Sequence, residues 1–123
     1  MSDIRANTIS DTSGNGPINL HKQSAAKAWV NFNGTGTVAI RNSQGVSGLV
    51  DNSKGNYDVN YTSNMSASDY SVTTAVGQIS PFPIAQAYLA SVSVGFVRLN
   101  TAQPSDYDYD LRLIVSTTHG DLA

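Results

Sequence analysis

Residues Ala25–Ile40, AAKAWVNFNGTGTVAI, hold the only tryptophan of the chain and a glycine-rich turn between two apolar arms. Ala26, Ala28, Val30 and Phe32 fall on one face of an extended segment, and Lys27, Trp29 and Asn31 on the other. Asn33-Gly34-Thr35-Gly36 supplies the positive-φ chemistry of a tight turn, after which Val38 and Ile40 resume an apolar face opposite Thr37, Ala39 and Arg41. The stretch predicts a β-hairpin. Two arrangements of its first arm are open: Ala28, Val30 and Phe32 face the core with Trp29 outside, or the faces are swapped. An outward Trp29 needs cover, which a subunit interface or a stacked sugar would supply.

Downstream the same period recurs. Arg41–Gly45 breaks the chain, Val46–Val50 is a short strand, and Asp51–Asn56 is nearly all turn chemistry. In Tyr57–Thr62, Tyr57, Val59 and Tyr61 alternate with Asp58, Asn60 and Thr62. Tyr70–Ile79 places Tyr70, Val72, Thr74 and Val76 on one face, and its Val and Thr content disfavours a helix. Ser80-Pro81-Phe82-Pro83-Ile84 lacks two backbone donors and predicts a crossing connection. Tyr88–Leu99 changes parity at Gly95, which predicts one long strand with a bulge or bend. Tyr109–Ser116 predicts the last strand, with Leu111, Leu113 and Val115 on one face. About eight strands at 8–12-residue spacing predict an all-β fold, an antiparallel β-sandwich of jelly-roll-like character.

Upstream, Met1–Gln23 carries only Ile4, Ile9, Ile18 and Leu20 as large apolar residues besides Met1, too widely spaced for a helix face. Its Ser13-Gly14-Asn15-Gly16-Pro17 centre is a strong breaker. The expected organisation is an extended N-terminal arm over 1–23 and a sandwich over 24–123. Two readings of the arm are open, a disordered tail or a segment that orders against a neighbouring subunit or assembly partner. The second, with an outward Trp29, makes Ile4, Ile9, Ile18, Leu20 and Trp29 the interface candidates.

With 123 residues the chain supports one two-layer core. Charged residues make up 13% of it, against roughly 25% in an average soluble domain. Its surface is therefore built of hydroxyls and amides, which suits a particle exposed to variable salt. The net charge of −2 and the lack of a basic run argue against a nucleic-acid partner. No cysteine is present, so disulfides and thiolate metal sites are excluded. The N-terminus MSDIRANTISD has no apolar signal region and no run is long enough for a spanning helix, so membrane insertion is not expected.

Chemistry-bearing groups are sparse. His21 and His119 lie in polar end segments without metal spacing. Gly34-Thr35-Gly36-Thr37 lacks the lysine and helix of a phosphate loop. Asp106-Tyr107-Asp108-Tyr109-Asp110 projects three carboxylates to one side if extended, which makes Asp106, Asp108 and Asp110 the residues that would ligate a hard cation. The EF-hand pattern fails there, having neither its glycine nor its closing glutamate. Glutamate is absent from the whole chain, so a two-carboxylate hydrolase would have to use Asp alone. The expectation is no enzyme, no cofactor and no metal.

Residues 7–65, above all KAWVNFNGTGTVAIR and GNYDVNYTSNM, together with the closing HGDLA, resemble a segment recurring in tail-fibre and other virion structural proteins of tailed phages, especially marine and cyanobacterial ones. The resemblance implies a β-sandwich knob, a homotrimer joined to other virion proteins through its N-terminal segment, located on the particle surface. It carries no catalytic residue. With an arm of about twenty residues and no shaft, it favours a short fibre, knob or decoration of head or tail, working in assembly, stabilisation or host adhesion. Two rivals accompany it. One is a carbohydrate-binding module using Trp29, Tyr57, Tyr61 or Tyr107, the host surface glycan being its partner. The other is a small polysaccharide-cleaving enzyme using the Asp cluster.

Overall fold

The alternating runs become eight strands: β1 (Ala28–Asn33), β2 (Ala39–Gln44), β3 (Val46–Ser53), β4 (Asn56–Tyr61), β5 (Ser71–Val76), β6 (Gln86–Val92), β7 (Phe96–Ala102) and β8 (Ile114–His119). The structure, a computed structural model, describes residues 12–13, 25–77, 85–104 and 108–123. The expectations for Ile4, Ile9, Ile18, Leu20, His21, Asp106, Tyr107 and the 80–84 connection lie outside the described residues.

The strands form two four-stranded antiparallel sheets, ordered β2-β1-β8-β5 and β3-β4-β7-β6. The antiparallel β-sandwich expected from the strand spacing is thus the fold. Three hairpins, β1–β2, β3–β4 and β6–β7, stay within a sheet, and the other four connections cross between sheets. One crossing is a single residue: Gly45, at φ +66°, takes the chain from β2 into β3. Its carbonyl accepts from the Thr62 N–H at 3.0 Å.

The quoted stretch is the β1–β2 hairpin, paired from Trp29↔Gln44 to Asn33↔Ala39. Asn33 closes its turn, since Oδ1 accepts from the Thr35 N–H at 3.1 Å and the Thr35 hydroxyl at 2.8 Å. Ala28, Val30 and Phe32 point into the core and Trp29 lies half-buried on the outer face. The swapped arrangement is overturned, because Phe32 is fully buried and meets Tyr57 edge-on at 5.3 Å.

Facing β1 across the interior, β4 contributes Tyr57, Val59 and Tyr61, and β7 contributes Val97 and Leu99; Ile114, Met65 and Leu111 complete the core. The loop before β5 is pinned by Tyr70, whose hydroxyl donates to the Ser93 carbonyl at 2.7 Å and lies 3.1 Å from that of Phe96.

Three expectations are corrected. The polar runs Arg41–Gln44 and Asp51–Ser53 do not break the chain but belong to β2 and β3, which narrows the breaks to Gly45 and to Lys54-Gly55. Tyr88–Leu99 is not one bent strand but two strands with a reversal at Ser93–Gly95, where the Ser93 N–H donates to the Phe96 carbonyl at 2.9 Å. The last strand begins at Ile114, and its inward residues are Ile114, Ser116 and Thr118, the opposite parity to the one expected. Leu111 is buried ahead of the strand and Leu113 is exposed. Thr118 tolerates burial because its hydroxyl is hydrogen-bonded to that of Tyr61 at 3.0 Å.

Candidate functional site

Residues that alternate with the core side chains of β4 and β7 emerge together on the outer face of the second sheet. They are Asn56, Asp58 and Asn60 from β4, and Phe96, Arg98 and Asn100 from β7, set side by side by the pairs Asn56↔Asn100, Asp58↔Arg98 and Asn60↔Phe96. On the flanks, β3 adds Val50 opposite Asp58, and β6 adds Tyr88 opposite Asn100.

One row of this face is hydrogen-bonded across all four strands. Asn52 Nδ2 donates to Asn56 Oδ1 at 3.1 Å, Asn56 Nδ2 to Asn100 Oδ1 at 2.9 Å, and Asn100 Nδ2 to the Tyr88 hydroxyl at 3.2 Å. Asn52 reaches the row because it is the extra residue of a bulge in β3 between Asp51 and Ser53. The next row holds a two-pronged ion pair, Arg98 Nε to Asp58 Oδ1 at 2.6 Å and Nη2 to Oδ2 at 2.8 Å. The Arg98 guanidinium also lies over the Phe96 ring, 5.9 Å from its centre.

Hydrogen bonds from Arg98 hold the Asp58 carboxyl below the usual carboxylate range, against the opposing effect of burial, with Asn52 and the Arg98 charge assisting. A depressed folded-state pKa contributes stability that is present above the unfolded value of about 3.9 and is lost as pH falls through the folded value. Thermal melts across acidic pH should therefore show the protein losing more stability than an Asp58→Asn variant. Parallel curves for the two would remove Asp58 from the acid response.

Of the residues singled out from the sequence, Tyr57 and Asp110 are brought into contact, whereas Trp29, Tyr61 and His119 lie apart from them. Tyr57 and Tyr61 are buried and offer no ring to a sugar, contrary to their expected exposure. Burial first, then the hydrogen bond and charge of Asp110, push the Tyr57 hydroxyl far above its ordinary pKa. Asp110 Oδ1 accepts from the Gly55 N–H at 2.7 Å and the Tyr57 hydroxyl at 2.6 Å. Asp108 is exposed. Among the described residues no three His, Cys, Asp or Glu side chains are grouped to hold a metal. Trp29 stands on the other sheet, its indole N–H donating to Gln44 Oε1 at 3.0 Å. His119 is half-buried at the end of β8, opposite Ser71.

The chain also has an open cleft of about 390 Å³ at one end of the sandwich, with Ala28, Tyr61, Met65 and Leu122 among its lining residues. Asp69 and Asp121 line a separate hollow of about 220 Å³ beside Tyr70.

Asn52, Asn56, Tyr88, Arg98 and Asn100 were not singled out by reading the sequence. The alternation of Tyr57–Thr62 does put Asp58 and Asn60 outward, but aligning them with β7 requires the register, which distant segments set. No protein-family model matches the chain, nor does any curated protein or solved structure.

Proposed function

We propose that the chain is a non-enzymatic structural protein of a phage virion. In this reading it is a short fibre, knob or decoration domain, attached through residues 1–23 and working as a homotrimer in assembly, stabilisation or host adhesion. The observation that supports an assembling subunit is the condition of the sheet edges. Edge strands expose unpaired N–H and C=O groups, and proteins blunt them with bulges to prevent unwanted pairing. Here β2 is bulged at Arg41, β3 at Ser47 and Asn52, and β6 at Ala90. The Arg41 guanidinium fastens its bulge by donating to the carbonyls of Phe32 and Arg112.

The fourth edge, β5, pairs with β8 through six unbroken positions from Ser71↔His119 to Val76↔Ile114. Among the described residues no strand pairs with its other side. A regular edge beside three interrupted ones is open to strand addition by a neighbouring chain. A ring of three closes if that contact is head-to-tail, a different segment of each neighbour supplying the added strand. Trp29, on the outer face of the same sheet, provides an amphipathic ring of the kind enriched in interfaces.

The test is the mass of the full chain in solution, with Thr73→Lys/Ala75→Lys as the variant, since both positions are exposed. The expected mass is threefold that of the 13.0 kDa chain, falling to the single-chain value in the variant while the β-sheet circular dichroism is kept. A single-chain mass for the unmodified protein overturns the trimer. Antibody labelling of purified phage particles, viewed by electron microscopy, tests the virion assignment separately.

A further inference from the structure

We propose that the outer face of the β3-β4-β7-β6 sheet is a saccharide-binding face. Its ligand is an uncharged, hydroxyl-rich glycan, with Tyr88 as the stacking platform and Asn56 and Asn100 as hydroxyl partners. The inference does not depend on the virion reading, since it concerns only what this face can recognise.

Asparagine is poorly suited to strands, yet Asn56 and Asn100 stand directly opposite each other on the two central strands. A primary amide has two N–H donors and two acceptor lone pairs. The row spends one donor and one acceptor of each of these two amides. That leaves each with a donor and an acceptor side by side, repeated at the strand spacing of about 4.8 Å. A sugar hydroxyl, which donates and accepts at once, is the complement of such a pair. Because neighbouring amides already fix the side chains, binding forfeits little rotamer freedom.

Tyr88 ends the row as an exposed residue, 46% accessible, with its hydroxyl held by Asn100. A fixed, open aromatic face at the border of an amide array fits the mixed character of a pyranose, whose C–H face is apolar and whose rim is polar. Val50, 45% exposed on the opposite flank, gives a second apolar contact.

Charge selects the class of glycan. Asp58 and Arg98 are the ionisable groups of this face apart from Tyr88, and they neutralise each other in a two-pronged pair. No unbalanced cation is left to favour a sulfated, sialylated or phosphorylated ligand, or a nucleic-acid backbone.

The experiment is a panel of neutral oligosaccharides (glucan, mannan, galactan and chitin fragments) and acidic ones (sialylated and sulfated), probed with the full chain. Hits are followed by titration calorimetry on the wild type and on Tyr88→Ala, Asn100→Ala and Val94→Thr. Binding of one or more neutral fragments is expected, weakened about tenfold or more by Tyr88→Ala and by Asn100→Ala. Val94, in the reversal between β6 and β7, is outside the face, and its variant should bind as the wild type does. Thermal melts establish that each variant is folded, and Tyr88→Ala, an exposed position, keeps the test valid if Asn100→Ala is not. Absence of any binding, preference for acidic fragments, or neutral binding indifferent to Tyr88→Ala would each overturn the proposal. So would a drop in oligomer mass on Tyr88→Ala, which would assign the face to a second copy of the chain.

Discussion

Gly45→Ala should cost about 2–5 kcal/mol of unfolding free energy, whereas Gly36→Ala should cost only about 1–2. Both glycines adopt nearly the same left-handed backbone, φ +66° and +64°, so the intrinsic penalty for an L side chain is shared. Their surroundings differ. A Cβ at Gly36 meets nothing within 4 Å, but one at Gly45 would lie 2.3 Å from the Lys27 carbonyl oxygen and 3.3 Å from the Ala28 Cα. Both obstructing atoms are backbone at the entry to β1, which cannot swing aside as a side chain would.

Relief at Gly45 would have to come from the one-residue corner between the sheets, loosening the Thr62 N–H to Gly45 carbonyl bond. A domain with 5–15 kcal/mol of total stability would lose a large share of it. Urea unfolding of the two variants measures the difference directly, with the slope expected to stay constant. Equal costs would show that the corner relaxes freely and does not fix how the sheets join.

The corner explains why part of the fold was readable and part was not. The hairpin was legible because local rules agree there: alternation over Ala28–Phe32 and turn chemistry at Asn33–Gly36. Parity leaves open which face is inward, and the burial of Phe32 against Tyr57 decides it. The last strand was not legible, because its inward positions include Ser116 and Thr118 while Leu113 points out. Hydrophobicity assigns the opposite face, and only the hydroxyl of Tyr61, 57 residues away in sequence, makes Thr118 acceptable inside. The β6–β7 reversal was hidden for a similar reason. Val92-Ser93-Val94-Gly95 lacks the Asn-Gly type of signal that marks a tight hairpin, and besides the local Ser93 N–H to Phe96 bond the reversal is held by Tyr70 from another loop. The amide row was hidden most completely. Asn52, Asn56 and Asn100 read singly as turn or edge residues, and become a row through a bulge and two registers that no local pattern specifies.

The acidic run near the C-terminus leads to the second large effect. Asp110→Ala should cost about 1.5–3 kcal/mol, the range for a hydrogen bond to a charged group whose loss strands a buried partner. The partner is the Gly55 N–H, in the β3–β4 turn, where Gly55 itself is buried at φ +67°. Tyr57 is less exposed to the loss, because its hydroxyl also lies 3.1 Å from the Gly34 carbonyl and can donate there instead. Asp110→Asn keeps an acceptor and should cost less than the alanine change. Asp108 is exposed, so any surface ion pair it makes is worth within about 1 kcal/mol, and Asp108→Ala should be correspondingly mild.

A cycle of Asp110→Ala and Tyr57→Phe should give a coupling energy on the order of 1 kcal/mol, as expected for groups in direct contact. Removing the carboxylate should also lower the pH at which Tyr57 ionises, since Asp110 is the second cause of its elevation after burial. Calcium supplies the decisive contrast. If Asp110 is a structural acceptor committed to Gly55 and Tyr57, millimolar calcium leaves the melting temperature unchanged. A calcium-dependent rise that disappears equally in Asp108→Ala and Asp110→Ala would instead make the loop a cation site.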